Sequence, residues 1–224
     1  MNFKKYPDRE LMMMDLADLM ASELASALRH QDRATLAVPG GTTPGPVFDA
    51  LSGVKLDWAR VDVMLTDERW VPESSDRSNT RLLRERLLTG HAAAARLLPL
   101  HSPAERPEDV LEELSAAIEP ALPISVLLLG MGADMHTASL FPGADRLAEA
   151  MDDDAPVLMA MRVPGAEEPR ITLTAPVLKG ALSSHLLITG IEKRAAVERA
   201  AKLNDPVRSP VSAILGTTTV HWAE

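Results

Sequence analysis

The sequence predicts one α/β domain spanning residues 1–224, in which helices flank a mainly parallel sheet. Two features of the pattern predict this fold. Short aliphatic runs alternate with longer segments whose apolar residues recur every three or four positions. Some of these runs, such as 124–130, are almost continuously apolar, which is typical of strands buried on both faces of a parallel sheet. A chain of 224 residues is long enough to bury a sizeable core within one domain.

The predicted elements alternate along the chain. Helical spacing predicts five helices, at residues 8–30, 43–53, 78–90, 107–118 and 192–203. Apolar runs predict six strands, at residues 34–40, 60–68, 124–130, 155–161, 185–190 and 217–223. Thr43 and Ser78 are expected to cap the second and third helices, because a hydroxyl at that position accepts hydrogen bonds from first-turn amides. The methionines at 12–14 are expected to form packing surface, and 164–169 is expected to be a mobile loop.

The composition limits the possible partners. The formal net charge is −9, which argues against nucleic acid or an anionic membrane, although a local basic cluster can still bind a small anion. The absence of cysteine excludes disulfides and thiolate metal sites. The N-terminal stretch lacks the apolar segment of a signal peptide, and no apolar run approaches the length of a membrane span. We therefore expect a cytoplasmic protein.

Unusual groups of polar residues follow four of the predicted strands. They are "PGGTTP" (39–44), "TDERWVP" (66–72), "GMGADMHTASLFPG" (130–143) and "TGIEKR" (189–194). Parallel α/β folds bind their ligands outside the carboxyl ends of the strands. These four stretches are therefore the candidate functional site.

The first two stretches each allow a functional and a plain interpretation. Gly40 and Gly41 let the backbone approach a ligand, and the helix that follows offers free N–H groups and a positive dipole end to a phosphate. A plain strand-to-helix turn fits equally well. In the second stretch Arg69 can bind a phosphate and Asp67 can orient a histidine or a sugar hydroxyl. A solvated charge cluster is the usual explanation of such a loop.

The third stretch places His136 just beyond a buried strand, where an imidazole is suited to act as a general base. A lone histidine is more often structural, but the Gly-x-Gly turn at a strand end favours a function. Thr137 and Ser139 lack the surroundings of a nucleophile elbow, so their hydroxyls are assigned to a helix face or a cap. A dinucleotide fingerprint fails because Met135 replaces its third glycine, and the sequence contains neither a P-loop nor a zinc-binding pattern.

Read together, "GGTTP", "TDERWVP" with a downstream "SN", "GMGADMHTASLFPG", "RITLT" and "TGIEKR" resemble the motifs of 6-phosphogluconolactonases, in the same order. The resemblance implies a Rossmann-like fold similar to those of glucosamine-6-phosphate deaminase and ribose-5-phosphate isomerase. It implies hydrolysis of 6-phospho-D-glucono-1,5-lactone in the oxidative pentose phosphate pathway, with no metal and no cofactor. The only partner that it implies is this small phosphosugar lactone, and either a monomer or a homodimer is compatible with the sequence.

The resemblance also implies roles for individual residues. His136 matches the general base, and Asp67 matches the acid that assists it. The residues that match substrate or phosphate contacts are Gly40, Gly41, Thr42, Arg69, Arg170 and Lys193. Lactone hydrolysis also needs N–H donors for a tetrahedral oxyanion, and the backbone around Gly132 and Asp134 is the candidate for them.

Two other functions are weighed against this one. An amino-sugar-phosphate deaminase/isomerase resembles the chain in the phosphate loop, but it carries an Asn-Glu-Pro stretch after the histidine where this chain has "TASLFPG". A non-enzymatic phosphosugar-sensing domain would need a DNA-binding module, and the segment before residue 34 has room for only one helix. A histidine that points away from the pocket would favour the sensing domain.

The chain departs from the family pattern at one position. The family usually has Asp-Gly-His where this chain has Asp134, Met135 and His136. We expect Asp134 to cap a short helix that begins within two residues of Met135, with His136 in its first turn. Met135 would then have an ordinary negative φ, and its replacement by glycine would not raise stability.

Overall fold

The computed structural model describes residues 1–224 as an α/β fold with two sheets. The strands are β1 (Asn2–Lys5), β2 (Ala34–Val38), β3 (Val61–Leu65), β4 (Asp67–Arg69), β5 (Arg96–Leu98), β6 (Val126–Gly130), β7 (Leu158–Met161), β8 (Arg170–Leu173), β9 (Ser183–Thr189) and β10 (Thr219–Ala223). The α-helices are α1 (Arg9–His30), α2 (Gly45–Ser52), α3 (Asn79–Arg86), α4 (Leu111–Ile118), α5 (Leu147–Met151), α6 (Ala175–Lys179) and α7 (Gly190–Leu203). No helix combines the length and hydropathy needed to cross a membrane.

The larger sheet has seven strands in the order β1-β10-β9-β6-β2-β3-β5, and every neighbouring pair is parallel. The predicted α/β class with a mainly parallel sheet is therefore confirmed. Strands β2 and β3 are buried at every residue, as expected when helices cover both faces of a sheet. The sequence did not predict the short strands β1, β5 and β8 or the short helices α5 and α6.

The strand predicted at 60–68 is in fact two strands that belong to different sheets. The N–H of Thr66 donates to the carbonyl of Val38 on β2, and the carbonyl of Thr66 accepts from the N–H of Leu173 on β8. The chain therefore leaves the parallel sheet at this residue and enters a second, antiparallel sheet with the order β4-β8-β7. Its strand β7 corresponds to the run predicted at 155–161, and the predicted loop 164–169 connects β7 to β8.

The order of the parallel strands reverses at β2. After β2 the chain builds outward through β3 and β5, and it then returns to the opposite side of β2 with β6. The loops that follow two such adjacent strands leave in opposite directions and open a crevice at the carboxyl edge of the sheet. Three of the four polar stretches follow β2, β6 and β9, and the fourth begins where β3 ends. The strand order therefore brings all four to one crevice.

The helix caps follow the sequence prediction in one case only. Ser78 caps α3, because its hydroxyl accepts from the N–H of Arg81 at 3.2 Å. The predicted cap at Thr43 is wrong, since α2 begins at Gly45 and its cap position is Pro44. The N–H of Gly45 already donates to a backbone carbonyl, and Pro46 has no N–H to offer. The hydroxyl of Thr43 therefore meets no free N–H at positions 45 and 46, and no side chain caps α2.

Glu68 fixes the start of α3 against β4. Its buried carboxylate accepts from the backbone N–H groups of Arg69, Asn79 and Thr80 at 2.7–2.8 Å. The hydroxyls of Ser78 and Thr80 donate to it as well, at 3.2 and 2.7 Å. The free amides of a helix N-terminus are favourable donors to a carboxylate. Both carboxylate oxygens of Glu68 are therefore hydrogen-bonded within the protein, and the residue has a structural role. Because side chains alternate along a strand, its neighbours Asp67 and Arg69 both point the other way.

A buried hydrogen-bonded chain joins α1 to the sheet. The OH of Tyr6 lies 2.9 Å from Nδ1 of His221, and Nε2 of His221 lies 3.1 Å from Nδ1 of His185. The chain ends on two carboxylates of α1, with Asp15 2.9 Å from the Tyr6 OH and Glu23 2.8 Å from Nε2 of His185. Burial, together with the neighbouring His185, lowers the pKa of His221 to about 4. The helix is thus held to the sheet by a neutral imidazole.

We expect His221 to make the protein less stable in acid. Its pKa is lower in the folded chain than the ordinary 6.5, so its contribution is present above pH 6.5 and is lost as the pH falls toward 4. Between pH 7 and pH 5 this residue alone should cost about 2 kcal/mol of unfolding free energy. Urea unfolding of wild type and His221→Gln at both pH values measures that share. Equal losses in the two proteins would contradict the assignment.

Candidate active site

The crevice at the carboxyl edge of the sheet is an open cleft of about 240 Å³. The residues from the sequence prediction that line it are Gly40, Gly41, Asp67, Arg69, Gly132, His136, Arg170 and Lys193. Thr42 and Asp134 do not line this cleft. Thr42 lies on a neighbouring depression at the start of α1, and Thr43 lines the cleft in its place.

The loop after β2 exposes backbone N–H groups that could bind an anion. Gly41 has a φ of +84°, a conformation that favours glycine. The N–H groups of residues 40–43 find no acceptor within the protein, and α2 begins directly after them. A row of free N–H groups before a helix forms a concave site for an anion such as phosphate. The geometry of the loop thus favours the interpretation as an anion site over that of a plain connection between a strand and a helix.

Asn79 is a cleft residue that the sequence analysis did not single out. Its side-chain Nδ2 donates to the carbonyl of Asp67 at 3.1 Å. Its amide group lies so close to Gly40 that a Cβ on this glycine would be 2.1 Å from the Asn79 Cγ. Asn79 therefore joins the anion loop to the strand that carries Asp67. The "SN" after "TDERWVP" was the available signal, but sequence alone gave it no partner.

The segment around His136 is a tight turn, so the predicted helix is wrong. Met135 has a φ of +69°, and its N–H donates to the carbonyl of Gly132 at 3.0 Å. The carboxylate of Asp134 accepts from both the backbone N–H and the ring Nδ1 of His136, at 3.2 and 2.6 Å. Such a local side-chain bond competes with helix formation and favours a turn. The family glycine at position 135 therefore corresponds to a left-handed backbone.

His136 is held with one ring nitrogen bound and the other free for chemistry. Because Asp134 is bound at Nδ1, the proton of the neutral ring belongs on that nitrogen, and Nε2 keeps its lone pair. The ring also stacks on Phe141, with centroids 3.7 Å apart. Burial lowers the pKa of His136, and the charges of Asp134 and Asp67 oppose that effect in part. A neutral imidazole with a free Nε2 can act as a general base.

Gly132 is required by the packing of this pair. A Cβ at Gly132 would lie 2.2 Å from Nδ1 of His136 and 2.3 Å from Oδ1 of Asp134, so no other residue fits without displacing them. The Gly132 N–H donates to the carbonyl of His136 at 3.0 Å. It is therefore occupied within the turn and is not free for the oxyanion role that the sequence analysis gave it.

Asp67 lies in the cleft but does not hold the histidine. Its Oδ2 accepts from the hydroxyl of Ser139 at 2.6 Å and lies 3.9 Å from Nη1 of Arg170. The orienting role considered for Asp67 belongs to Asp134, and Asp67 acts on His136 through its charge. The helix-face or capping positions predicted for Thr137 and Ser139 are also wrong, because neither residue lies on a helix. The Thr137 hydroxyl instead donates to the carbonyl of Gly130 at 2.9 Å.

Three cations surround the cleft and keep part of their hydrogen-bonding capacity free. Arg69 donates through Nη1 to the carbonyl of Arg77 at 2.6 Å, and Lys193 donates to the carbonyl of Met131. The Nε groups of Arg69 and Arg170 are buried without a partner. Burial lowers the pKa of Arg170, as expected for a charge that lacks water. Two orphan guanidinium donors at one cleft indicate a site for an anionic ligand.

The described residues contain no group of three or more histidine, aspartate or glutamate side chains that could hold a metal ion.

Comparison with known proteins places these features in a family. Residues 7–222 match the family model described as glucosamine-6-phosphate isomerases/6-phosphogluconolactonase. The chain is 44% identical to a 6-phosphogluconolactonase of Pseudomonas aeruginosa, over 92% of this chain and 88% of that protein. It is 41% identical to one of Rhizobium meliloti, over 93% and 92%.

Solved structures agree with this relationship. A crystal structure of a 6-phosphogluconolactonase from Shewanella baltica superimposes with a TM-score of 0.95 at 32% identity, covering 100% of this chain and 97% of that one. A monomeric glucosamine-6-phosphate deaminase shares the fold, with a TM-score of 0.79 at 15% identity, covering 99% and 97%.

The left-handed backbone at Met135 predicts that substitution by glycine stabilises the protein, which is unusual for this substitution. A methionine at φ +69° is strained and glycine is not, so Met135→Gly should raise the unfolding free energy by roughly 0.5–1 kcal/mol. Met14 is the matched control, since it is exposed within α1, where glycine should cost about 0.5–1 kcal/mol. Denaturant unfolding of both variants measures the two changes in unfolding free energy, which should have opposite signs. A loss of stability for Met135→Gly would show that the turn is not strained.

Proposed function

We infer that this chain, which belongs to the family of glucosamine-6-phosphate isomerases and 6-phosphogluconolactonases, hydrolyses 6-phospho-D-glucono-1,5-lactone to 6-phospho-D-gluconate. This is a step of the oxidative pentose phosphate pathway. The observation that carries the inference is a neutral, oriented histidine in the same cleft as a row of free N–H groups and two orphan guanidinium donors. Such a cleft matches a substrate that has a phosphate at one end and a carbonyl at the other.

His136 is the proposed base. A lactone is an activated ester, so a water molecule can attack it directly once a base accepts the proton. Nε2 of His136 takes this proton while the water oxygen bonds to C1 and the carbonyl becomes an oxyanion. When the C1–O5 bond breaks, the protonated His136 returns the proton to O5, and the acid product releases its own proton to solvent. The bond from Asp134 keeps Nε2 as the reacting nitrogen throughout.

The cations and the loop are proposed to bind the two ends of the substrate. The free N–H groups of residues 40–43, with Arg69, are assigned to the phosphate. Arg170 and Lys193 are assigned to the lactone end and its oxyanion, since the turn uses the Gly132 N–H internally. A phosphate bound away from the reacting carbon supplies energy that positions the carbonyl.

The two alternative functions receive less support. The run after His136 contains no acid that could serve ring opening in a deaminase/isomerase. The sensing domain would be favoured by a histidine outside the pocket, whereas His136 lines the cleft. We also propose that the enzyme acts in the cytoplasm as a monomer or homodimer, without nucleic acid or a membrane as partner. The net charge of −9 supports the absence of polyanionic partners.

The test is a lactonase assay coupled to 6-phosphogluconate dehydrogenase, with spontaneous hydrolysis subtracted. We expect wild type to accelerate the reaction and His136→Ala to lower kcat about 10²–10⁴-fold, because a positioned base contributes that much. His91→Ala is the control, as His91 is exposed and outside the cleft. Activity of His136→Ala within threefold of wild type would contradict the role of this histidine, and an inactive wild type would contradict the function.

A further inference from the structure

Ser139 is buried, and its hydroxyl can only donate in the hydrogen bond that it makes to Asp67. Its Oγ lies 2.6 Å from Oδ2 of Asp67, and because an ionised carboxylate only accepts, the serine hydroxyl is the donor. The backbone N–H of Ser139 donates to the hydroxyl of Thr172 at 3.2 Å, and this hydroxyl donates to the carbonyl of Leu173 at 3.0 Å. Ser139 and Thr172 are both fully buried. The serine thus ties the turn after β6 to the antiparallel sheet.

The carboxylate that Ser139 holds faces an opposite charge. Asp67 pairs with Thr172 on the antiparallel strands β4 and β8, and Arg170 lies two residues from Thr172 on the same face. Asp67 and Arg170 are therefore diagonal neighbours, and both side chains are largely buried. Oδ2 of Asp67 is 3.9 Å from Nη1 of Arg170, which is too long for a hydrogen bond. Two buried opposite charges at this distance attract each other strongly. Without another constraint the pair would close into a direct, two-pronged bridge.

Ser139 supplies that constraint, since its hydroxyl binds the same oxygen that faces Arg170. The other carboxylate oxygen has only a long contact of 3.4 Å from the hydroxyl of Thr66. Arg170 remains without a partner at Nε, and the face of the Phe141 ring lies 5.2 Å from its guanidinium. The guanidinium is therefore kept at the edge of the cleft with Asp67 at 3.9 Å and no hydrogen bond to a protein acceptor.

We propose that Ser139 is a positioning residue that holds Asp67 away from Arg170 and so keeps the guanidinium free to bind the substrate. The proposal rests on the proposed function, because the ligand of Arg170 is the lactone end of the substrate. Loss of the Ser139 hydroxyl lets Asp67 turn toward Arg170 and occupy the donors that the substrate needs. Binding then weakens, while the chemistry at His136 proceeds almost normally once substrate is bound.

The test compares Ser139→Ala, Asp67→Asn and the double variant in the coupled lactonase assay. We expect Ser139→Ala to raise KM about tenfold and to change kcat less than threefold, the cost of a lost charge-assisted bond at a binding group. In the Asp67→Asn background the charge that captures Arg170 is gone, so Ser139→Ala should leave KM unchanged. The Kd of 6-phosphogluconate, measured by calorimetry, should follow the same pattern.

Two further variants separate positioning from a loss of fold. Ser184→Ala is the matched control, because Ser184 is also buried and its hydroxyl bonds to Thr218 at 2.8 Å, away from the cleft. Its KM and kcat should equal those of wild type. Ser139→Cys keeps the size of the side chain with a weaker donor, so its KM should lie above that of wild type and below that of Ser139→Ala. If the alanine variant fails to fold, the cysteine variant should still show a raised KM with a kcat close to that of wild type.

The outcomes distinguish this proposal from the function on which it rests. An unchanged KM in Ser139→Ala, with an active wild type, would overturn the role of Ser139 alone. An equal rise in KM with and without the Asp67 charge would also overturn it, because the serine would then be merely structural. A wild type that does not hydrolyse the lactone would instead overturn the proposed function.

Discussion

The hydrogen bond between Asp134 and His136 is the interaction on which the active site depends. This bond places the proton of the neutral imidazole on Nδ1 and leaves Nε2 free. The same carboxylate also accepts from the His136 N–H and so stabilises the turn that places the ring in the cleft. The turn carries two costs, a left-handed backbone at Met135 and a glycine at 132 that leaves space for the pair. Strain of this kind persists where the surrounding structure fixes the backbone, and here it serves the orientation of one side chain.

The site also depends on how its charges are kept apart. The adjacent acids on β4 have different roles, since Glu68 accepts hydrogen bonds from the start of α3 while Asp67 lines the cleft. Ser139 fixes the Asp67 carboxylate, and Arg170 keeps a free donor. An acidic protein can bind an anionic substrate because these contacts leave local positive charge without partners.

The sequence predicted the parallel sheet and the meeting of four strand ends, because continuous aliphatic runs and glycine turns are local signals. It did not predict the second sheet, since the change of sheet at Thr66 depends on partners far along the chain. The same limit applies to Ser139, whose partner is 72 residues away. Helix formers around Met135 suggested a helix, and the Asp134 carboxylate overrode that propensity.

The most direct test of this account is the tautomer of His136 in solution. Nitrogen-15 NMR of histidine-labelled protein at pH 8, with His136 assigned from a His136→Gln sample, distinguishes it from the other five of the six histidines. The bond from Asp134 predicts a neutral ring protonated at Nδ1, with Nε2 unprotonated. A ring protonated at Nε2, or two tautomers in rapid exchange, would contradict the claim that Asp134 prepares His136 as the base.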